Sequence, residues 1–520
     1  MCVVLPRSLY ADGLVSDFQR VAVVNGATAE PTELGQPSPK WFLPVLFGVA
    51  VVVYGAFAWR PVFWVDEYLT QSAIARPWLD LFKWIITRDP APGPYYVVMK
   101  IWSFVSISSF WMRLPSIVAM ASAVVVVAAL VRRLAGMSMA YWVAGVMLLI
   151  PNVSRYAQEN RPYAFALLCT VAAAALWQRS LEKDRSPWWT VGYGGAVAGM
   201  GLAHLYTLTL IPALVIAALA RPPSQRRSAF WRTAVPVAIA VAVISPHIYL
   251  NLAHPTGSPT EGPLTGSSLV YLVGAMMPYE LAAALVAISI LGIVTSRRQL
   301  VYRSLLVLAL AWTVIPPLLL LGAKIAVDLP VTRSRYMLFV MPGLAMLVAL
   351  GLRRIAAIST PLAAAILIVM MLLGLPRQID IRSIDGHNGD QALAPLLRAA
   401  VQNRMPIVVA NRSAVRLVNA ATYPQKLLGA PVDALATRYV AVVERTPSAN
   451  SVPDDFPYYQ QHGPWRQVLK CRVSQALVLV FENERLPMGS LGSRAEVGKS
   501  LSDPTEGAVK CEVVNRLTRT

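Results

Sequence analysis

Uninterrupted apolar stretches recur from residue 41 to residue 375, separated by short polar connections. A helix needs roughly 17–25 mostly apolar residues to cross about 30 Å of hydrocarbon. Residues 41–59, 111–131, 137–150, 164–177, 188–203, 205–220, 234–250, 269–294, 305–322, 337–352 and 361–375 are the candidates, about eleven in all. The 188–220 stretch is too long for one crossing and reads as a hairpin turning near His204-Leu205-Tyr206. Composition agrees, with 56% of residues hydrophobic and 14% charged, against about 25% charged in a soluble domain. A single large water-soluble enzyme, a disordered chain and a collagen-like rod are thereby excluded. The expected fold class is a polytopic α-helical membrane protein.

The chain carries 46 Lys and Arg against 27 Asp and Glu, a formal net charge of +19. Such a charge in a soluble protein would suggest nucleic acid; in a membrane protein it points to basic loops on the cytoplasmic side. With residues 1–40 inside, the inner connections hold Arg132-Arg133, then Arg179, Lys183 and Arg185, then Arg221, Arg226, Arg227 and Arg232. Arg297, Arg298 and Arg303 follow, and finally Arg353-Arg354. Every expected inner loop is basic, so the charge reads as topology and no nucleic-acid partner is expected. Residues 1–40 lack the apolar core of a signal peptide. The expectation is a multi-pass protein of a bacterial-type cytoplasmic membrane with its C-terminal part outside.

Past residue 375 the composition turns soluble. Residues 380–485 contain three β-branched runs, at 407–409, 439–443 and 476–481, and a helix-like stretch at 391–403. They read as a small extracytoplasmic α/β domain, with 486–520 a loosely ordered tail. Cys471 and Cys511 both fall outside, where a disulfide and two free thiols are equally open. No zinc-type Cys/His spacing occurs.

Chemistry concentrates on the outer side. Phe63-Trp64-Val65-Asp66-Glu67-Tyr68 opens the first outer loop, residues 60–110, in which Trp78, Leu79, Leu81, Phe82, Trp84 and Ile85 recur at helical spacing. An amphipathic helix of this kind lies in the interface plane, and so would hold the two carboxylates beside the headgroups. Arg88-Asp89-Pro90-Ala91-Pro92-Gly93-Pro94-Tyr95-Tyr96 follows as a helix-breaking turn. Arg155 and Arg161 lie on the outer connection 151–163, Arg335 opens the tenth candidate span, and Lys324 is expected in the loop before it. These cations run against the positive-inside tendency, and an arginine grips phosphate through a planar fork of donors.

In order, Asp66-Glu67, the Tyr95-Tyr96 turn, Arg113-Leu114-Pro115, Gln158-Glu159-Asn160-Arg161-Pro162-Tyr163, Gly201-Leu202-Ala203-His204-Leu205-Tyr206 and Arg335-Tyr336 resemble the motifs of GT-C-type glycosyltransferases. The group similar to dolichyl-phosphate-mannose protein mannosyltransferases and the lipid A aminoarabinose transferase is nearest, over residues 41–375. The resemblance implies a polyprenyl-phosphate sugar donor, an envelope glycan, lipid or protein acceptor, and inverting transfer at the outer leaflet. It implies Asp66 as general base with Glu67 orienting the acceptor or assisting. Arg155, Arg161, Arg335 and Lys324 would bind the donor phosphate; Tyr95, Tyr96, Glu159, Tyr163, His204, Tyr206 and Tyr336 would contact substrates. Many relatives carry His before the Tyr-Tyr turn, where Ala91 and Gly93 stand here. That departure weighs against a metal site of the kind proposed for some relatives; a divalent metal stays open, and no other cofactor is assigned. A transporter or lipid flippase is the competing class. It would place charge at mid-span and show repeated halves, whereas the polar groups here gather at one face.

Overall fold

The computed structural model of the chain describes residues 39–182, 186–254, 265–266, 279–327, 329–331 and 333–383. Beyond these it describes 393–394, 396–398, 407–409, 418, 439–445, 465–473, 476–483 and 510–513. Most of the expected N-terminal segment, residues 269–278 of the eighth candidate span and most of 391–403 and 486–520 lie outside the described residues.

Each candidate span contains a helix. Helix α1 is Phe42–Gly55; α2 (Val65–Ile74), α3 (Trp78–Thr87) and α4 (Gly93–Trp102) follow in the first long connection. Next come α5 (Ser109–Ala135), α6 (Met137–Leu149), α7 (Pro151–Ala157), α8 (Tyr163–Ser180) and α9 (Pro187–Ala203). A 3₁₀ turn, Leu205–Leu210, runs into α10 (Ile211–Leu219), followed by α11 (Pro223–Ala253), α12 (Tyr279–Ser296) and α13 (Leu300–Val327). A second 3₁₀ turn, Ser334–Val340, leads into α14 (Met341–Ala356), and α15 (Thr360–Ile381) ends the helical part. By length and hydropathy alone, five of the helices among the described residues are long and apolar enough to span, or six if α6 and α7 count as one span bent by 68°.

Local chemistry sets the boundaries. Ser108, Ser186 and Ser359 accept N-terminal amides of α5, α9 and α15 as N-caps. Gly136 takes φ of 88° between α5 and α6, a left-handed conformation that suits a residue without Cβ. Proline at the first turn starts α7 and bends it off α6. α1 stops earlier than the apolar run, at Gly55, because the chain turns through Phe57 at φ of 58°.

α14 forms the centre, with every residue from Met341 to Leu352 buried. α12 packs against it at very close range: a Cβ on Gly351 would lie 2.1 Å from the Ile288 carbonyl oxygen, and one on Gly292 2.6 Å from that of Leu347. Small residues permit such backbone approach between spans. The outermost helices behave oppositely, as in α15, where Ile368, Val369, Met371 and Leu372 are all more than half exposed. Contiguous apolar surface of this extent suits hydrocarbon and not water. At one end of the bundle Arg133 and Arg179 both pair with Glu182, while Arg221 Nη2 donates to Gln178 Oε1. The residues with candidate chemistry lie at the other ends of the same helices.

Beyond the helices, β1 (Ile407–Val409), β2 (Tyr439–Arg445), β3 (Trp465–Val473), β4 (Ala476–Asn483) and β5 (Lys510–Val513) form one sheet in the order β1-β2-β4-β3-β5. β1 and β2 are parallel and the other pairs antiparallel. The three β-branched runs lie on β1, β2 and β4. β5 falls within the stretch expected to be loosely ordered; four residues with alternating charge give no strand signal alone and gain one from the β3 ladder. That ladder sets Cys471 opposite Cys511 in register.

Candidate active site

Two buried side chains shape the start of the long connection between α1 and α5. Gln158 Nε2 donates to the carbonyls of Tyr54 (2.7 Å) and Ala56 (2.9 Å). Arg113 Nη1 donates to those of Ala58 and Pro61, both at 2.8 Å. The chain is thereby drawn across the top of α1 and delivered to the N-terminus of α2, whose first turn carries Asp66 and Glu67. Glu67, at the third helical position, reaches back toward the Trp64 amide at 3.4 Å, one half of a capping box.

Glu67 is completely buried and fully engaged. Arg113 grips it through Nε to Oε1 at 2.8 Å and Nη2 to Oε2 at 2.7 Å, and the Asn160 amide donates to Oε1 at 2.9 Å. These bonds tie α2, α5 and the turn after α7 together. Neighbouring bonds reinforce the joint: Thr70 Oγ1 to the Asn160 carbonyl (3.1 Å) and Tyr95 OH to Asn160 Oδ1 (2.8 Å). Glu67, one residue from the carboxylate that faces outward, therefore stands in the wall together with Tyr95.

Asp66 faces the open side. Its Oδ2 accepts from Arg335 Nη1 at 2.7 Å, with both side chains partly exposed. Arg335 also stacks beside Trp64 and its neighbour Tyr336, 5.8 and 5.2 Å from their ring centroids. Arg161 Nη1 lies 3.3 Å from the Asp66 carbonyl and 3.4 Å from Tyr96 OH, and Tyr96 in turn donates to Asp89 at 2.5 Å. The Nε atoms of Arg161 and Arg335 are buried without a hydrogen-bond partner.

A pocket opens beside this pair, lined by Tyr163, His204, Thr207, Arg335, Tyr336 and Phe339. His204 interrupts the helical hairpin as the N-cap of the first 3₁₀ turn. Its ring contacts those of Tyr163, Tyr206 and Tyr336 at 6.1, 5.0 and 5.3 Å between centroids. Burial, aided by the charges of Arg335 and Arg161, pushes its pKa down to about 3, so the ring is neutral at physiological pH.

Glu159 lies on the third side. Arg155 Nε is 3.2 Å from its Oε1, while Oε2 is buried without a partner. Burial pushes its carboxyl up to about 7, against the opposing pull of Arg155. Tyr156 is hydrogen-bonded to Ser334 and so links α7 to the turn that carries Arg335.

The structure thus gathers Asp66, Arg161, Arg335, Tyr96, Tyr163, His204, Tyr206 and Tyr336 around one opening, with Arg155 and Glu159 beside it. Lys324, expected in a loop, lies buried in the last turn of α13, because that helix continues through Pro316 and Pro317. Arg113, Gln158, Asn160 and Asp89 had no individual role in the sequence reading. An arginine at the start of an apolar run is the signal that Arg113 offers; Asp89 falls within a stretch read as a turn. Among the described residues no cluster of three His, Cys, Asp or Glu side chains could hold a metal.

Such a site can do three things chemically. A partly exposed carboxylate can take a proton from a hydroxyl. Two arginines with donors to spare can hold and stabilise an anionic leaving group. An aromatic wall can stack against a sugar ring or an isoprenoid.

Residues 89–250 match the model of the family described as dolichyl-phosphate-mannose-protein mannosyltransferase. No curated protein matches the chain. Among solved structures, ArnT from Cupriavidus metallidurans bound to undecaprenyl phosphate superposes with a TM-score of 0.56 at 15% identity, covering 87% of this chain and 100% of that one. The same protein in the apo state gives 0.57 at 13% identity over 84% and 97%. The oligosaccharyltransferase of Archaeoglobus fulgidus in the apo form superposes more loosely, at 0.46 and 11% identity over 74% and 64%. The chain is therefore similar to GT-C-type glycosyltransferases, by sequence to the protein mannosyltransferase family over residues 89–250 and by fold to ArnT along most of its length.

Proposed function

We propose that the protein is an integral membrane glycosyltransferase that moves a sugar from a polyprenyl-phosphate carrier to a hydroxyl of an envelope glycan, lipid or protein. On this reading it crosses a bacterial-type cytoplasmic membrane about eleven times, one crossing for each apolar helical unit. The N-terminus and the basic helix ends face the cytoplasm; the site and the sheet-bearing C-terminal segment face outward as an α/β domain. The observation that carries the reading is the Asp66–Arg335 contact at 2.7 Å beside an aromatic pocket. A carboxylate able to accept a proton and an arginine able to hold phosphate thus stand together, which supports the reading.

Asp66 removes the proton from the acceptor hydroxyl, whose oxygen attacks the anomeric carbon. The bond from that carbon to the phosphate oxygen breaks, and its electron pair leaves with the polyprenyl phosphate. Arg335 and Arg161, with Arg155 at the margin, stabilise the charge that grows there. A single displacement inverts the configuration. Glu67 acts through Arg113 and Asn160 as a positioning residue, since its oxygens are already engaged. The likeness in fold to a protein bound to undecaprenyl phosphate supports the same class of carrier here.

The test is donor choice. Purified protein in nanodiscs should transfer sugar from a polyprenyl-phosphate sugar and ignore the matching nucleotide sugar. Direct use of the nucleotide sugar would refute the donor assignment.

A further inference from the structure

His204 holds a hydrogen-bond donor in a defined direction. Its Nδ1 accepts the Tyr206 amide at 3.3 Å, so in a neutral ring the hydrogen sits on Nε2. The backbone around it is fixed, because its carbonyl accepts both the Thr207 amide (3.0 Å) and Thr207 Oγ1 (2.7 Å). The three surrounding tyrosine rings restrict rotation of the imidazole. Nε2 has no hydrogen-bond partner among the described residues. The ring also lines the pocket that contains Arg335. Groups facing it are Tyr163 from α8, Tyr206 from its own 3₁₀ turn, Tyr336 and Arg335 from the second 3₁₀ turn, and Arg161 from the turn before α8.

We propose that His204 Nε2–H positions the lipid-linked phosphate, donating to one of its non-bridging oxygens while Arg335 supplies the charge. This rests on the donor reading above. A neutral donor fixes the direction of the phosphate without adding a further positive charge that would hold the product carrier after transfer. The two ring nitrogens then have separate tasks: Nδ1 caps the 3₁₀ turn, and Nε2 meets the ligand.

Those tasks separate by substitution. In His204→Asn the side-chain oxygen replaces Nδ1 as cap acceptor but nothing reaches the Nε2 position. In His204→Gln an amide nitrogen reaches that position and the cap is lost. Undecaprenyl phosphate binding to the full chain in nanodiscs should stay within about threefold of wild type for His204→Gln and weaken about tenfold for His204→Asn. Thermal midpoints should follow the opposite order. Retained binding in His204→Asn with loss in His204→Gln, or equal binding in all three, would overturn the inference. A second readout needs no substitution. In protein labelled with ¹⁵N at histidine, an Nε2–H resonance should move when undecaprenyl phosphate is added, and an Nδ1–H tautomer or an unmoved signal contradicts the proposal. If folded wild type binds no undecaprenyl phosphate at all, the donor reading falls together with the inference.

Discussion

Asp66 and Glu67 are chemically equivalent in the sequence and opposite in the fold. Glu67 is enclosed by Arg113, the Asn160 amide and the Trp64 amide; Asp66 meets one arginine at an open edge. The doublet was legible as a site, but its division of labour was not, because the deciding partners lie 46 and 93 residues away. Breaking a buried ion pair by removing one partner costs about 3–5 kcal/mol. Arg113→Met should therefore lower the thermal midpoint of the protein in detergent sharply, and an unchanged midpoint would contradict the assignment of Glu67 to the wall. Glu159 gives a pH test. Its folded-state carboxyl titrates near 7 instead of at the usual 4.5, mainly through burial. A raised folded pKa contributes stability that is fully present below the ordinary value and lost as pH rises through about 7. The contribution is roughly 3 kcal/mol at most. Thermal midpoints should thus fall between pH 5 and 8 in wild type, and Glu159→Gln should flatten that slope. Identical slopes in the two proteins would contradict the assignment.

At the scale of elements, hydrophobic runs located the helices well because length and apolarity are local properties. What they could not give is the way two helices meet. Gly292 and Gly351 sit in separate stretches with nothing unusual around them, yet α12 and α14 touch there through backbone atoms. Gly351→Leu has no space to occupy and should destabilise by several kcal/mol, at the upper end of overpacking effects of about 1–3 kcal/mol or above; unfolding of the detergent-solubilised variant measures it. Gly48, with nothing within 4 Å of an added Cβ, is the matched control and should tolerate Ala. The connection 151–163 read as a loop is half helical. Its α7 is seven residues long, too short to leave a periodic signature, and its Pro151 reads equally as a breaker or a first turn.

For the whole molecule, the arginines divide between the two ends of the bundle. Arg133, Arg179 and Arg221 belong to one end of the bundle, and Arg161 and Arg335 to the site at the other. If the basic end faces the cytoplasm, reporter fusions after Arg133 and after residue 390 should report opposite sides of the membrane. The same side for both would overturn the eleven-crossing reading. Sequence alone was weakest for the C-terminal sheet, where β5 is recruited from a polar stretch by pairing with β3. Strand formation of that kind depends on a neighbour and not on local propensity.

The claim on which the rest depends is that Asp66 is the base at a phosphate-binding site. Arg335 holds Asp66 through Nη1 and keeps Nε without a partner, so removing the carboxylate charge should separate binding from chemistry. In Asp66→Asn protein held in nanodiscs, binding of undecaprenyl phosphate and single-turnover transfer from a polyprenyl-phosphate sugar can be measured on one preparation. Binding should be retained or tightened, while transfer falls by about 10²–10⁴-fold, the usual loss of a positioned base. Transfer near the wild-type rate in a well-folded Asp66→Asn protein would contradict the account.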